Sequence, residues 1–389
     1  MSARIGPKIR RARASDKNTV LEFCRFTWQE YGDYIDKVWD DWLEDKKGFF
    51  AVACLRGRPI ATAKLTVLSP GQIWFEGLRV DPRRRGIGMS RVLTRFLLRK
   101  ARRLGAETVR FATGEYNRPS KHVGRDLGFR LIRHYSILWA PSDGRFQSVF
   151  APLSDPVRAV ATLHRAGNAS APEQTAPASR GRHDWLPRTG ASSDRTRGVR
   201  KRDMIHDATE KLACLVNSSP FGRAMKGLAS SGWTFFQVDA DLLAQHFESR
   251  GLFLATSRAG NVPGSSESTP LGIIVASRNR KAQRLDVKLF ADVTEDSLGP
   301  MLLGTKKLAY ELKLPRVRLV LPKVERLLLQ AKEAGFREED PGFYHAVMEK
   351  RIRGGPKGRR SVSGQRNNVR GHNSFDAEFD ADFDNHDSG

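Results

Sequence analysis

Cysteine is scarce: Cys24, Cys54 and Cys214 are the three in a chain of 389 residues. An odd, widely spaced set argues against a disulfide framework and fits a reducing interior. No Cys/His grouping has the spacing of a zinc site, so no metal is expected. No apolar run approaches the roughly 18 residues needed to span a bilayer. Met1 to Arg13 is basic but lacks the apolar core of a secretory signal. The expectation is a soluble cytoplasmic protein with no membrane partner. Acids are also in deficit, 43 Asp and Glu against 67 Lys and Arg, for a formal charge of +24. That surplus admits nucleic acid, acidic surfaces or polyphosphates as partners without deciding a fold.

What is present begins with Ile73-Trp74-Phe75-Glu76-Gly77-Leu78-Arg79-Val80-Asp81-Pro82-Arg83-Arg84-Arg85-Gly86-Ile87-Gly88, a strand-like run that meets a basic, glycine-punctuated turn and then a long helical pattern. Gly86 and Gly88 let backbone approach a ligand closely. The unpaired N–H groups of the following helix favour an anion, and Arg83, Arg84 and Arg85 add positive charge. This is the chemistry of a site for a phosphorylated ligand. Downstream, Asn117-Arg118-Pro119-Ser120 opens a short helical pattern ending in Leu127-Gly128-Phe129, where Gly128 suits a helix stop.

Arg83-x-x-Gly86-x-Gly88, after a strand and a Val-Asp-Pro step, resembles the Arg/Gln-x-x-Gly-x-Gly/Ala motif of the GNAT superfamily of acetyl-CoA-dependent N-acetyltransferases. Asn117, Ser120, Leu127, Gly128 and Phe129 match that family's second segment in the right order, and the resemblance covers about Ile9 to Pro141. It implies acetyl-CoA as cosubstrate, with Arg83, Arg84, Arg85, Gly86, Ile87 and Gly88 around the pyrophosphate. It also implies Leu78 and Val80 backbone on the pantetheine arm, and Asn117 and Ser120 at the cofactor. The family's acceptor pocket falls partly in the connection between the first two helices, here Tyr31, Asp33 and Tyr34. An acidic, aromatic loop suits a cationic amine; the alternative is ordinary packing and solvated charge.

Aminolysis of a thioester needs a neutral amine, and amine pKa values of roughly 8 to 10.4 therefore call for a base. Glu76 is the candidate. Strand alternation puts it on one face with Leu78 and Val80, and resembling enzymes that act on small amines often carry a Glu four residues before this Val. The other reading is a strand Glu paired with a nearby Arg. The family often places a Tyr in the short helix to protonate the departing thiolate, and the matching position here is Gly124. Either Tyr116, His122 or Tyr135 serves instead, or no acid is needed, since a thiol of pKa about 8.5 leaves tolerably as thiolate.

The fold expectation is α/β (α+β): two GNAT-like domains, each a mixed, mostly antiparallel central sheet flanked by helices. Residues 1–145 would be catalytic, with a strand Lys8 to Ala14, Ser15 capping a first helix, and a second helix burying Ile35, Val38, Trp39, Trp42 and Leu43. The acids of that second helix, Asp45 included, read as mostly solvated. A meander over 49–55, 60–68 and 72–80 follows, then a helix 88–104 and strands 108–112 and 129–139. Residues 146–203 read as a largely flexible basic linker with a short helix at 156–164.

Residues 204–350 repeat the logic, with strands 252–257, 271–278, 284–291 and 316–321, helices 298–312 and 324–334, and Gly335-Phe336 echoing Gly128-Phe129. In place of the basic turn stands Thr294-Glu295-Asp296-Ser297-Leu298-Gly299-Pro300, acidic where a pyrophosphate needs cations. A degenerate second copy without acetyl-CoA is expected. The layout is similar to that of histidine N-acetyltransferases, which implies a small amine or free amino acid as acceptor. Protein lysine or N-terminal acetylation is the enzymatic alternative. A nucleic-acid-binding or scaffold protein using its basic linker and tail is the alternative of another class. The tail, 351–389, reads as disordered, basic and then acidic, with Phe375, Phe379 and Phe383 as a docking motif or merely solvated.

Overall fold

The computed structural model describes residues 7–25, 27, 33–146, 149–169, 194–257, 269–292 and 294–352. In chain order the elements are β1 (Lys8–Arg11), α1 (Lys17–Cys24), α2 (Ile35–Glu44), β2 (Phe49–Leu55), β3 (Arg58–Ser69), β4 (Gln72–Val80), α3 (Met89–Arg103), β5 (Thr108–Gly114), α4 (Arg118–Asp126) and β6 (Arg130–Pro141). Then come β7 (Val149–Pro152), α5 (Pro156–Ala169), α6 (Asp194–Ser218), α7 (Pro220–Ala224), β8 (Leu228–Ser231), β9 (Thr234–Gln237), α8 (Ala240–Glu248), β10 (Leu252–Ser257), β11 (Thr269–Asn279) and β12 (Arg284–Asp292). The last are α9 (Leu298–Glu311), β13 (Arg316–Pro322), α10 (Glu325–Glu333), β14 (Arg337–Glu338) and β15 (His345–Arg351). It is a mixed α/β fold whose sheet is mostly antiparallel.

The chain divides into two compact units, one of residues 1–136, 230–236 and 340–389, the other of 137–229 and 237–339. In the first, strand order is β1-β2-β3-β4-β5-β15-β6. All neighbours are antiparallel except β4 and β5, which run parallel. Leu93, Leu97, Leu98 and Ala101 of α3 recur at helical spacing and bury against one sheet face, with Ile73, Phe75, Val109, Phe129 and Met348. Against the other face pack α1 and α2, through Val20, Phe23, Ile35, Val38, Trp39 and Trp42 on Phe50 and Val52.

The second unit carries β7-β10-β11-β12-β13, antiparallel up to β12, with β12 and β13 parallel over Arg284–Val287 and Arg316–Leu319. After α10, Gly335 (φ +82°) stops the helix and Phe336 N donates to Ala331 O at 2.9 Å; after α4, Gly128 (φ +82°) does the same and Phe129 N donates to Gly124 O at 2.9 Å.

Several local expectations differ. Ser15 caps nothing: Ala14–Asp16 is a 3-10 turn, and it is Asp16 that accepts from Arg13 N at 2.8 Å and from Arg10. Burial works against the charge of Asp16, yet Arg10 and the Arg13 N–H hold its pKa below the ordinary carboxylate range. Asp45 is not solvated but paired with Lys64. Part of the segment read as a linker is built, since β7 pairs with β10 and α5 runs to Ala169. Residues 170–193 and 353–389, with the tail phenylalanines, lie outside the described residues.

Candidate active site

β4 and β5 are parallel, so both end on the same edge, and α3 and α4 both begin there. Their ladder is short: Gln72, Ile73 and Trp74 pair with Thr108, Val109 and Arg110, and then it stops. Beyond it the rest of β4 has no strand partner on the β5 side, and Leu78 O accepts from Arg79 Nη1 at 3.1 Å. The register between β3 and β4 slips between Thr62 and Lys64, which oppose Arg79 and Glu76, so Gly77 and Leu78 form a bulge. Gly77 has φ +62°, the Trp42 ring fills the space a Cβ would take, and its N–H donates to Tyr34 Oη at 3.1 Å. The bulge also overturns the expected alternation. Leu78 and Val80 pack toward the α3 core, whereas Glu76 lies on the opposite face, toward α2 and Asp45.

The basic turn lies at the open edge. Asp81 caps its short 3-10 segment, accepting from Arg83 N at 3.0 Å and from Arg83 Nε at 3.0 Å. Arg83 also reaches Glu22 at 3.5 Å, so its charge is shared between two carboxylates. Arg84 and Arg85 are exposed and have no ion pair among the described residues. Gly86 and Gly88 take φ +82° and +77°, with open space where a Cβ would stand, and no side chain caps the first turn of α3. Ile87 between them is 57% exposed, which leaves it available to a ligand rather than to the core. This is an uncapped helix N-terminus with two cations beside it, a fit for a pyrophosphate.

Asn117 is the N-cap of α4: its Oδ1 accepts from Ser120 N at 3.1 Å. Its amide nitrogen carries two further donors. Gly124 is buried, and a Cβ there would lie 2.8 Å from Phe111 Cζ, so that ring and the Met348 methyl fill the place of a tyrosine. Of the three acid candidates, Tyr116 is exposed, His122 sits 3.4 Å from Asp126, and Tyr135 is fully buried against Phe235.

Glu76 is partly buried, with Thr66 Oγ1 donating to its Oε1. Burial raises its pKa, opposed by the Thr66 hydrogen bond and the Lys64 charge. Its neighbour is therefore a lysine and not the arginine the other reading offered. Asp33 is spent on Arg79, which donates to it through Nε at 2.6 Å and Nη2 at 3.3 Å. Tyr34 is held on the Gly77 N–H and against Arg79, and burial pushes its pKa up. Tyr31 lies outside the described residues.

Sequence reasoning missed two groups. Lys64, Thr66 and Asp45 support Glu76; the register that brings Lys64 opposite Glu76 was invisible until the strands were paired. Trp233, Phe343 and His345 form an aromatic cluster, the Trp233 and His345 centroids 3.8 Å apart, with His345 Nδ1 buried and unpartnered. Burial lowers the pKa of His345 to about 3, so it is neutral. His345 is in register with Gly114 of β5, and no local pattern could place those residues there. No grouping of His, Cys, Asp and Glu among the described residues could hold a metal.

The Acetyltransferase (GNAT) family model matches residues 17–129. No curated protein is significantly similar in sequence. Among solved structures, a GCN5-related N-acetyltransferase of Sphaerobacter thermophilus is similar at 14% identity and TM-score 0.50, over 90% of this chain and 96% of that one. A candidate acetyltransferase of Thermoplasma acidophilum aligns at 16% identity and TM-score 0.46, over 89% and 100%. A GNAT family acetyltransferase of Elizabethkingia anophelis with acetyl-CoA bound aligns at 15% identity and TM-score 0.28, over 34% and 80%. The family match, the split between β4 and β5 and the uncapped start of α3 agree: residues 17–129 form an acetyltransferase domain of the GNAT family.

Proposed function

We propose that the first unit transfers acetyl from acetyl-CoA to a primary amine of a small molecule or free amino acid, by direct attack within a ternary complex. The observation that carries this is the early end of the β4–β5 pairing with the uncapped α3 turn at the same edge, and Glu76 lies on β4 two residues past the last pair. Arg84, Arg85 and the N–H groups from Gly86 onward would hold the pyrophosphate, with Arg83 bracing the turn through Asp81. The β4 backbone at Leu78 and Val80 and the Asn117 amide would line the pantetheine arm, and Ser120 would serve the α4 cap. Acetyl-CoA supplies the acetyl group as a thioester: nitrogen bonds to the carbonyl carbon and the C–S bond breaks, its electron pair leaving with sulfur. Glu76 takes one proton from the ammonium beforehand and is left as the acid, and the second nitrogen proton, shed as the amide forms, passes to the departing thiolate or to solvent. Gly124 offers no acid, and the thiolate leaves unassisted or meets a solvent proton.

Trp74, Phe235 and Tyr135 pack ring against ring and are buried, so they brace the sheet rather than meet an acceptor. Asp33 and Tyr34 then act by fixing the bulge rather than by pairing with the amine. The second unit, a degenerate GNAT-like copy with the acidic turn Thr294–Pro300, takes no acetyl-CoA. There Thr294 and Ser297 bond each other across the turn, which leaves less of it open. Acetylation by purified full-length protein, screened over amino acids, polyamines and peptides by thiol release, is the test. Turnover with peptides alone would replace the small-amine acceptor by a protein one.

A second reading has one observation in its favour. Arg95, Arg99 and Arg102 along α3 share a groove with Lys350, a surface suited to a polyanion. Salt-sensitive RNA affinity without any acetylation would favour it.

A further inference from the structure

Lys64 is the least expected side chain in the first unit. It lies in the middle of β3 and is 1% exposed, although lysine is almost never buried unless paired. All three of its donors are used: on Asp45, on Leu65 O at 2.9 Å and on Thr66 Oγ1 at 3.2 Å. Asp45, just beyond α2, is itself fixed, its Oδ1 accepting from Gly48 N at 2.9 Å and Lys47 N at 3.0 Å. Gly48 packs so closely on Asp45, Leu65 O and Lys64 Nζ that a Cβ would displace them. Having accepted from Lys64, the Thr66 hydroxyl has its one proton left to donate, and it donates to Glu76 Oε1.

The order of donors is therefore fixed from one end. We infer that Asp45, Lys64 and Thr66 are a positioning chain that holds Glu76 as an oriented carboxylate, ready to accept a proton. A neutral Glu76 would have to turn its own proton away from Thr66. The inference deepens the reading of Glu76 as base and rests on it.

Three elements bring charge or titratable groups to Glu76. β3 supplies Lys64 and the Thr66 hydroxyl, the end of α2 supplies Asp45, and its start supplies Tyr34. On β4 itself Arg79 is occupied by Asp33. Burial disfavours the Glu76 carboxylate and Asp45 adds to that, while Thr66 and Lys64 oppose both. Removing the Thr66 hydroxyl while keeping its volume takes away the contact and leaves the burial.

The test is a carboxyl-carbon NMR titration of full-length protein labelled in glutamate, with Glu76 assigned by its loss in Glu76→Gln. In Thr66→Val the Glu76 midpoint is expected to rise by about one pH unit, a tenfold change in its ionisation constant. Thr66→Ser should restore it, and Lys64→Met in an Asp45→Asn background should raise it without leaving an unpaired buried charge. An unchanged midpoint in Thr66→Val overturns the inference. So does an equal shift in Thr66→Ser, which would mean that packing, not the hydroxyl, is responsible. The titration needs no acceptor, so it is separable from the base assignment, which fails on its own if Glu76→Gln keeps full turnover.

Discussion

Glu76 and Gly77 are adjacent and constrained for opposite reasons. Gly77 must be glycine, because its φ of +62° is unfavourable for a side chain and Trp42 occupies the space. Gly77→Ala is expected to cost about 2 to 4 kcal/mol, the left-handed penalty plus overpacking, read as a fall in thermal midpoint. Glu76 is tolerated at a cost. A carboxyl whose folded pKa stands above its unfolded value stabilises the fold at low pH, and that contribution is lost as pH rises through the folded pKa. Glu76→Gln should therefore melt no lower than wild type at pH 8 while kcat falls about 100-fold or more, with little change in acetyl-CoA affinity. A variant that lost stability and kept turnover would assign Glu76 to structure.

At the scale of elements, α3 is set up by the turn before it. Gly86 and Gly88 hold positive φ with open space beside them, so a side chain there meets no wall and would reach into the proposed pyrophosphate place. Gly86→Glu or Gly88→Glu should abolish acetyl-CoA binding by calorimetry, through strain of about 1–2 kcal/mol and a like charge at the pyrophosphate, with the melting curve largely kept. Unchanged affinity in both would remove the turn from the site. α4 differs in being capped by Asn117, and Asn117→Ala should cost about 1 kcal/mol of stability apart from any effect on the cofactor.

For the whole molecule, the sheet of the first unit closes through a strand from the far end of the chain. β15 lies between β5 and β6, pairing His345 to Arg351 with Gly114 to Thr108 on one side and with β6 on the other. Residues 1–145 alone would expose both edges, and such edges recruit other chains. That fragment should aggregate on size-exclusion chromatography while the full chain does not; a monodisperse fragment would show that β15 is dispensable. Two units also pose a question of stoichiometry. Calorimetric titration should find one acetyl-CoA per chain, and two would make the Thr294–Pro300 turn competent.

Much was legible locally. The Arg83 to Gly88 turn, the Asn117 to Phe129 segment and the apolar spacing of α2 and α3 depend on backbone freedom, capping and periodicity, all of which are properties of short stretches. The bulge at Gly77 was not, because slippage between β3 and β4 is decided by the pairing of two strands and by Trp42 of a helix beneath them. It turned Glu76 away from Leu78 and Val80. The same holds for Lys64, whose burial beside Glu76 requires Asp45, and for His345, whose place beside Gly114 is a pairing more than two hundred residues long. The sequence by itself determined the likeness of residues 17–129 to the GNAT family, the turn and the candidate base. Tertiary structure alone decided which face that base occupies, which neighbours hold its charge and which distant strand completes its sheet, because those depend on contacts that no local periodicity encodes.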